Sequence, residues 1–281
     1  MSTKNIVMIL LCILILILLI AYNVFYVNIK VLTVTENAYT SDKVDTALDG
    51  MTIVFFSDLH YGTAIKEAEL EKLADTITSF DPDIVLFGGD LFDDSDNYEF
   101  ASDERAKIIE DLNSIKARFG KFAVLGNHDL GSKAMHDNAV DILESSGFEV
   151  LDNSSSLVYK DGSYINIVGV ASMILGSPDV EKAYSAVDSS DLTITLCHTP
   201  DVFDEVTTDL MFAGHSHGGQ IYLPIINDFY RPNGAKKYFK GTYKKDDSLL
   251  HITNGVGTTY FDARFLSDSE IVVYKLRSSA S

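Results

Sequence analysis

His60, His128, His198, His215 and His217 all stand just after apolar runs of strand length. Met51 to Phe56 runs into Ser57-Asp58-Leu59-His60-Tyr61-Gly62, Ile84 to Phe87 into Gly88-Gly89-Asp90-Leu91-Phe92-Asp93, and Phe122 to Leu125 into Gly126-Asn127-His128-Asp129. Further on, Leu192 to Leu196 leads into Cys197-His198-Thr199-Pro200, and Leu210 to Ala213 into Gly214-His215-Ser216-His217-Gly218-Gly219-Gln220. Asp58 and His60, like His215 and His217, are two positions apart, so in extended backbone they point to one side and can converge on one ion. A single histidine after a strand is ordinarily a hydrogen-bonded surface residue. The ordered set offers mixed nitrogen and oxygen donors instead, a mixture that suits manganese, iron or zinc better than calcium or an all-thiolate site. His136 and His251 lack that context and are expected to be structural. Cys197 is expected to point into the sheet as a small buried apolar residue.

The elements that must position these groups alternate between strand and helix. After a short extended stretch near Val31 to Thr35, the strands at 51–56, 84–87 and 122–125 alternate with helical patterns, the first carrying Ile65, Leu70, Leu73, Ile77 and Phe80, the second Ile108, Ile109, Leu112 and Ile115 over Ser102 to Lys116. This is a βαβαβ beginning. A helix from Ser132 to Ser145 follows, then short runs at 148–151, 157–159, 164–170, 192–196, 210–213 and 248–253, with one more helix near Pro178 to Ala186. Asp152 to Ser156 reads as a loop. The second half is therefore strand-rich. An apolar strand fixes the backbone while the loop after it projects ligands, so the histidines lie where such a fold places its chemistry.

Composition narrows the function. The 281 residues include 22 Lys and Arg against 41 Asp and Glu, a formal charge of -19 that repels polyphosphate backbones, so nucleic-acid binding is not expected. A phosphate-bearing substrate would need metal ions held by carboxylates to neutralise it. Cys12 and Cys197 are the only cysteines, which excludes a disulfide framework. Ile6 to Val27 carries no charge, and its 22 residues suffice to cross about 30 Å of hydrocarbon at about 1.5 Å per residue. It reads as a membrane anchor, since no small-x-small cleavage site of a secretory signal follows Ile20. The expected organisation is an anchor over 1–30, with a signal peptide as the alternative, a linker and first extended segment over 31–49, and a catalytic domain over 50–277. The protein is expected at the cell membrane, single-pass, with its domain outside the cytoplasm.

In their order, Asp-x-His, Gly-Asp-x-x-Asp, Gly-Asn-His-Asp, His and Gly-His-x-His, the blocks from Asp58 to His217 resemble the signature of the calcineurin-like metallophosphoesterase superfamily. The Ser57 to Gly62 and Gly214 to Pro224 segments, with Asn254-Gly255-Val256-Gly257-Thr258 and Ala263-Arg264-Phe265, are similar to its bacterial membrane-associated YkuE/YaeI-type group. The resemblance covers about 50 to 275. It implies an α/β fold, a two-layer β-sandwich flanked by helices, here preceded by one N-terminal transmembrane helix. It also implies two divalent metal ions, with manganese the first choice and iron or zinc the alternatives. By that resemblance Asp58, His60 and His217 would hold one ion, Asn127, His198 and His215 the other, and Asp90 would bridge them. His128 would protonate or stabilise the leaving oxygen, with its ring oriented by Asp93. Asp129 is read as a loop or cap residue. Thr259 to Ala263 is bulkier and more acidic than the resemblance leads one to expect.

The function so implied is a membrane-anchored, metal-dependent phosphoesterase that opens a phosphodiester or pyrophosphate bond, of a lipid-linked or envelope substrate, by attack of a metal-activated hydroxide. A protein phosphatase or phosphomonoesterase of the same superfamily is the alternative, and a noncatalytic scaffold a further one. Protein phosphatases of the superfamily carry Arg after the second-block Asp, whereas Asp93 is followed here by Asp94. One stretch lies outside the signature. Tyr222, Leu223, Pro224, Ile225, Ile226, Phe229 and Tyr230 are followed by Arg231, Lys236 and Lys237. This loop either packs on its own domain or forms a rim facing the bilayer.

Overall fold

The computed structural model describes residues 2–93, 102–226 and 231–279. Asp94, Phe229 and Tyr230, singled out above, lie outside the described residues. Two six-stranded sheets face each other. The first runs β1 (Leu32–Ser41), β12 (Ser269–Ser278), β2 (Thr52–Phe56), β3 (Ile84–Phe87), β4 (Gly120–Ala123), β5 (Phe148–Val150) across its width. The second runs β10 (Gly241–Lys245), β11 (Ser248–Ile252), β9 (Leu210–Ala213), β8 (Leu192–Cys197), β7 (Ser163–Val170), β6 (Ser154–Lys160).

Strands β2 to β5 are mutually parallel, as are β7, β8, β9 and β11. Parallel strands are covered on both faces, which is why β2, β3, β8 and β9 are apolar throughout or nearly so and buried along their whole length. Their inward side chains meet between the sheets: Ile53, Phe55, Ile84 and Leu86 pack against Ile167, Ile194, Leu196 and Phe212, with the rings of Phe55 and Phe212 5.0 Å apart. On the outer face of the first sheet lie α2 (Glu67–Ser79), α3 (Ser102–Ser114) and α4 (Lys133–Ser145). Leu70, Leu73, Ala74 and Ile77 form the buried stripe of α2 at helical spacing. Ser132 starts α4 by accepting the Met135 N–H at 3.2 Å. The parallel strands of both sheets end at one edge of the sandwich, and there the motif loops meet.

Several elements depart from the sequence reading. Ser154 to Ser156, expected in a loop, belongs to β6, because Ser154 to Lys160 pairs antiparallel with Ser163 to Gly169 across a tight turn. The helix expected near Pro178 to Ala186 is a single turn, α5 (Val180–Ala183), capped by Asp179. β1 is twice the expected length and pairs with β12 over ten residues. β10 and β12 were not anticipated: exposed Lys244 and Lys245 dilute the apolar signal of β10, whereas Ile271 to Tyr274 of β12 is a buried apolar run that the sequence reading passed over.

The N-terminal helix α1 (Thr3–Tyr22) buries none of its residues against the rest of the chain. It is long and apolar enough to cross a membrane. Two further turns, Asn23–Val27 and Asn28–Lys30, connect it directly to β1.

Candidate metal centre

Loops after β2, β3, β4, β8 and β9 bring Asp58, His60, Asp90, Asn127, His128, His198, His215 and His217 to one edge. The approach is close enough to dictate glycine. A Cβ at Gly126 would run into Asp90 Oδ1, and one at Gly214 into Asp58 Oδ2. Asp58, His60, Asp90, His215 and His217 all hold positive φ, between 43° and 69°. Such backbone costs energy for a residue with a Cβ and persists where the surroundings over-determine it, commonly at functional sites.

Among the described residues the donors fall into three overlapping groups, one of them His60, Asp90 and His128. Asp58, His60 and His217 converge on one side, Asp90, His198 and His215 on the other, each set within 4.8 Å. Asp90 lies between them: its Oδ2 is 3.6 Å from His60 Nε2 and 3.1 Å from His198 Nε2. Asp90 Oδ1 accepts the His128 N–H at 2.8 Å. His128 and Asp93 complete the arrangement, with His128 Nδ1 3.6 Å from Asp93 Oδ1 and the His128 ring edge-on to His60 at 4.8 Å. Asp93 Oδ1 is also 3.4 Å from His60 Nδ1, so it lies between two imidazoles where the sequence reading assigned it one.

Main-chain carbonyls fix two of the rings. His198 Nδ1–H donates to Gly88 O at 2.9 Å and His215 Nε2–H to Asn233 O at 2.7 Å, which turns the opposite nitrogen of each ring inward. Neither carbonyl carried a signal in the sequence. Asp129 is likewise more than a loop residue. Buried, it accepts the N–H groups of Asp90 and Leu91, both at 2.8 Å, and of Gly126 at 2.9 Å, stapling two motif loops together. Arg264 is fully buried and donates to the carbonyls of Asn254, Gly255, Gly257 and Ser267, shaping the loop behind Asp58. His251 bonds the Tyr274 hydroxyl at 3.0 Å, and His136 is exposed on α4 beside Asp137, so both stand apart from the site. Cys197 is buried as a free thiol, and burial lifts its pKa to about 11.

Proton affinities follow from the crowding. Burial would raise Asp90, but His198, then His60 and His128, outweigh it and hold the carboxyl far below the usual range. Burial opposes charge on His198, yet Asp90 lifts it to about 9. His60 is raised against its own burial by Asp93, Asp90 and Asp58. Burial, with neighbouring histidines, lowers His215 and His217. Buried carboxylates therefore draw protons onto adjacent imidazoles, the behaviour of a donor set built for cations.

The donor set fits a pair of divalent ions. Asn127 Oδ1 is buried with no hydrogen-bond partner among the described residues, and it belongs to the inward-facing group. Mixed imidazole, carboxylate and carboxamide donors suit first-row divalent metals.

Residues 51–219 match the family described as calcineurin-like phosphoesterase. The chain belongs to this family. Among its relatives, the uncharacterised metallophosphoesterase YkuE of Bacillus subtilis is 32% identical over 260 residues, spanning 90% of this chain and 88% of its own. The phosphodiesterase YaeI of Escherichia coli is 30% identical over 218 residues, covering 74% of this chain and 76% of its own. The UDP-2,3-diacylglucosamine pyrophosphatase LpxG of Chlamydia trachomatis is 27% identical over 305 residues, covering 88% of this chain and 89% of its own. The protein is accordingly a metallophosphoesterase, a hydrolase of a family that works with a dinuclear divalent metal site.

Proposed function

We propose that this metallophosphoesterase is anchored in the cell membrane by α1 and hydrolyses a phosphodiester or pyrophosphate bond of a lipid-linked or envelope substrate outside the cytoplasm. The division into an anchor over 1–30, a connecting segment over 31–49 and a catalytic domain over 50–277 goes with it. The observation that carries the reading is the position of Asp90 Oδ2, within 3.6 Å of the His60 Nε2 of one donor group and 3.1 Å of the His198 Nε2 of the other. Asp58, His60 and His217 would hold one ion, Asn127, His198 and His215 the second, with Asp90 shared. Manganese is the first choice, iron or zinc the alternatives. Two bound cations would supply Lewis acidity toward phosphoryl oxygens and make a water nucleophilic at neutral pH.

The chain's own groups do the rest. His128, tied through its main-chain N–H to Asp90, is the proton donor for the leaving oxygen. Asp93, within 3.6 Å of the His128 ring, steers it. Asp129 holds the Asp90 and Asn127 loops in register through three main-chain N–H groups. YaeI and LpxG, a phosphodiesterase and a pyrophosphatase by name, support a substrate with two substituents on phosphorus over a monoester. Tethering supports a membrane-bound substrate, because an anchored site meets lipid phosphates at high effective concentration.

The test is metal content together with turnover of the manganese-loaded protein on phosphodiesters, lipid pyrophosphates and phosphomonoesters. Two metal equivalents and a clear preference for the first two classes are expected. Preference for monoesters would move the reading to the phosphomonoesterase alternative.

A further inference from the structure

The end of the N-terminal helix is held at the rim of the metal centre. Arg264 N–H donates to Val24 O at 3.0 Å, and Asn28 Nδ2–H to Arg264 O at 3.0 Å, so the turn that follows α1 is bonded on both sides to one residue of the loop 257–266. Val24 is buried there. That loop runs beside 220–226: Tyr222 N–H donates to Phe265 O at 2.8 Å and Phe265 N–H to Gln220 O at 2.9 Å. Gln220, three residues past His217, donates its side-chain amide to Thr259 O and Phe261 O. Thr259 Oγ1 reaches Asp93 Oδ1 at 3.5 Å. Helix end, twin loops and metal centre are therefore one connected structure.

The twin loops are apolar where they should be polar. Leu223, Ile225, Ile226, Tyr260, Phe261 and Leu266 are all exposed, Tyr260 at 89% and Ile225 at 71%. Isolated exposed apolar residues are ordinary, but a cluster on two adjoining loops marks an interaction surface. Three of the six, Ile225, Tyr260 and Leu266, hold positive φ of 78°, 63° and 53°, so the backbone is bent unfavourably to present them. At the border, Lys240 lies 4.7 Å from the Tyr222 ring and donates to Leu266 O at 2.8 Å. An ammonium beside an aromatic ring suits the head-group layer.

Continuity with α1 decides what covers this surface. Val24 is two residues past the end of the helix, and the short turns that follow enter β1 with no slack. Whatever surrounds α1 therefore begins beside Arg264. We infer that the six-residue rim inserts into the interface of the bilayer that α1 spans, so that the metal centre faces the membrane and receives the phosphate of a lipid head group from the membrane plane. The inference rests on α1 as an anchor and gives the proposed activity its substrate class.

The chain contains no tryptophan, so one introduced residue reports alone. Full-length Leu14→Trp, Tyr260→Trp and Tyr159→Trp, reconstituted in vesicles containing brominated phosphatidylcholine, serve as span, rim and remote reporters. Tyr159 is exposed on the β6–β7 hairpin. Bromolipid should quench Leu14→Trp and Tyr260→Trp by at least about twofold, as expected for rings at interface depth or below, and leave Tyr159→Trp unchanged. Quenching of Leu14→Trp without Tyr260→Trp overturns the inference. An unquenched Leu14→Trp removes the anchor and the inference with it. In a second arm, the triple variant Tyr260→Ser, Phe261→Ser, Leu266→Ser should lose about tenfold or more of its turnover on a vesicle-embedded phosphodiester while keeping turnover of soluble bis(p-nitrophenyl) phosphate. Equal effects on both substrates, or none, overturn delivery from the membrane plane. If the unmodified protein hydrolyses neither diester nor a lipid pyrophosphate, the proposed activity fails, whereas the quenching result stands independently of it.

Discussion

The Nε2 atoms of His60 and His217 lie 3.0 Å apart, with both rings buried and tilted 34° to one another. At that distance two lone pairs repel unless a proton or a cation sits between them. Asp93, Asp90 and Asp58 favour a proton on His60 against its burial, while burial and His60 itself keep His217 neutral. A divalent ion competes for the same position. Chelation should therefore lower the melting temperature and manganese should restore it; at a hundredfold excess over Kd the gain is about 2.7 kcal/mol. Thermal denaturation with and without chelator measures this, and identical curves would argue against a bound cation.

Asp90→Asn keeps the Oδ1 that accepts the His128 N–H but neutralises the oxygen lying between the two donor groups. The variant should fold, lose at least one metal equivalent, and fall in kcat by about two orders of magnitude or more, in line with the loss of a metal-held nucleophile. Metal analysis beside circular dichroism checks it. Retention of both metals and normal turnover would remove Asp90 from the shared position.

His128→Ala should separate chemistry from metal binding. Its proposed partner is the leaving oxygen, so metal content should hold while kcat drops about 100-fold to 10,000-fold. Esters of acidic phenols, which leave without help, should suffer less than alkyl esters. A loss independent of leaving-group pKa would exclude the proton-donor role.

Asp129→Asn replaces a carboxylate that accepts three buried N–H groups by an amide with one acceptor oxygen. A buried N–H left without an acceptor costs about 1–3 kcal/mol, so a loss of about 2 kcal/mol or more is expected in urea denaturation. Because one of the three is the N–H of Asp90, metal affinity should weaken with it. A variant of unchanged stability would show the staple to be dispensable.

Tyr184 and Tyr274 set an alkaline limit. Burial raises both to about 12 from the ordinary value of 10; in Tyr184 hydrogen bonds to Thr195 and Thr208 offset it only in part. Their folded pKa is raised, so the stabilisation is complete below pH 10, where neither state ionises. It declines between pH 10 and 12, where the unfolded chain alone releases the protons. Urea midpoints measured from pH 9 to pH 12 should fall across this window, and Tyr184→Phe should flatten the fall. A midpoint insensitive to pH there would mean that neither hydroxyl stays protonated in the fold.

Much of this protein is written in its local sequence. Asp58, His60, Asp90, Asn127, His198, His215 and His217 are conspicuous because an apolar strand needs nothing polar at its end, so ligand-type residues at five strand ends announce a shared purpose. The uncharged run from Ile6 to Val27 is equally plain, since only a bilayer or a core rewards it. Tertiary structure decided what depends on partners distant in the chain. The carbonyls of Gly88 and Asn233 orient His198 and His215 across 110 and 18 positions, and a main-chain acceptor leaves no trace in residue type. Asp129 is one acidic residue among 41 Asp and Glu until folding places three N–H groups around it. The full length of β1 and the whole of β10 escaped because half-exposed strands dilute the apolar signal, and for β1 pairing with β12 across more than 230 positions supplies what propensity does not. The bond from Arg264 to Val24 spans 240 positions. It joins a helix legible as an anchor to loops legible only as apolar, and the proposed orientation of the metal centre toward the membrane rests on that contact together with the exposed rim.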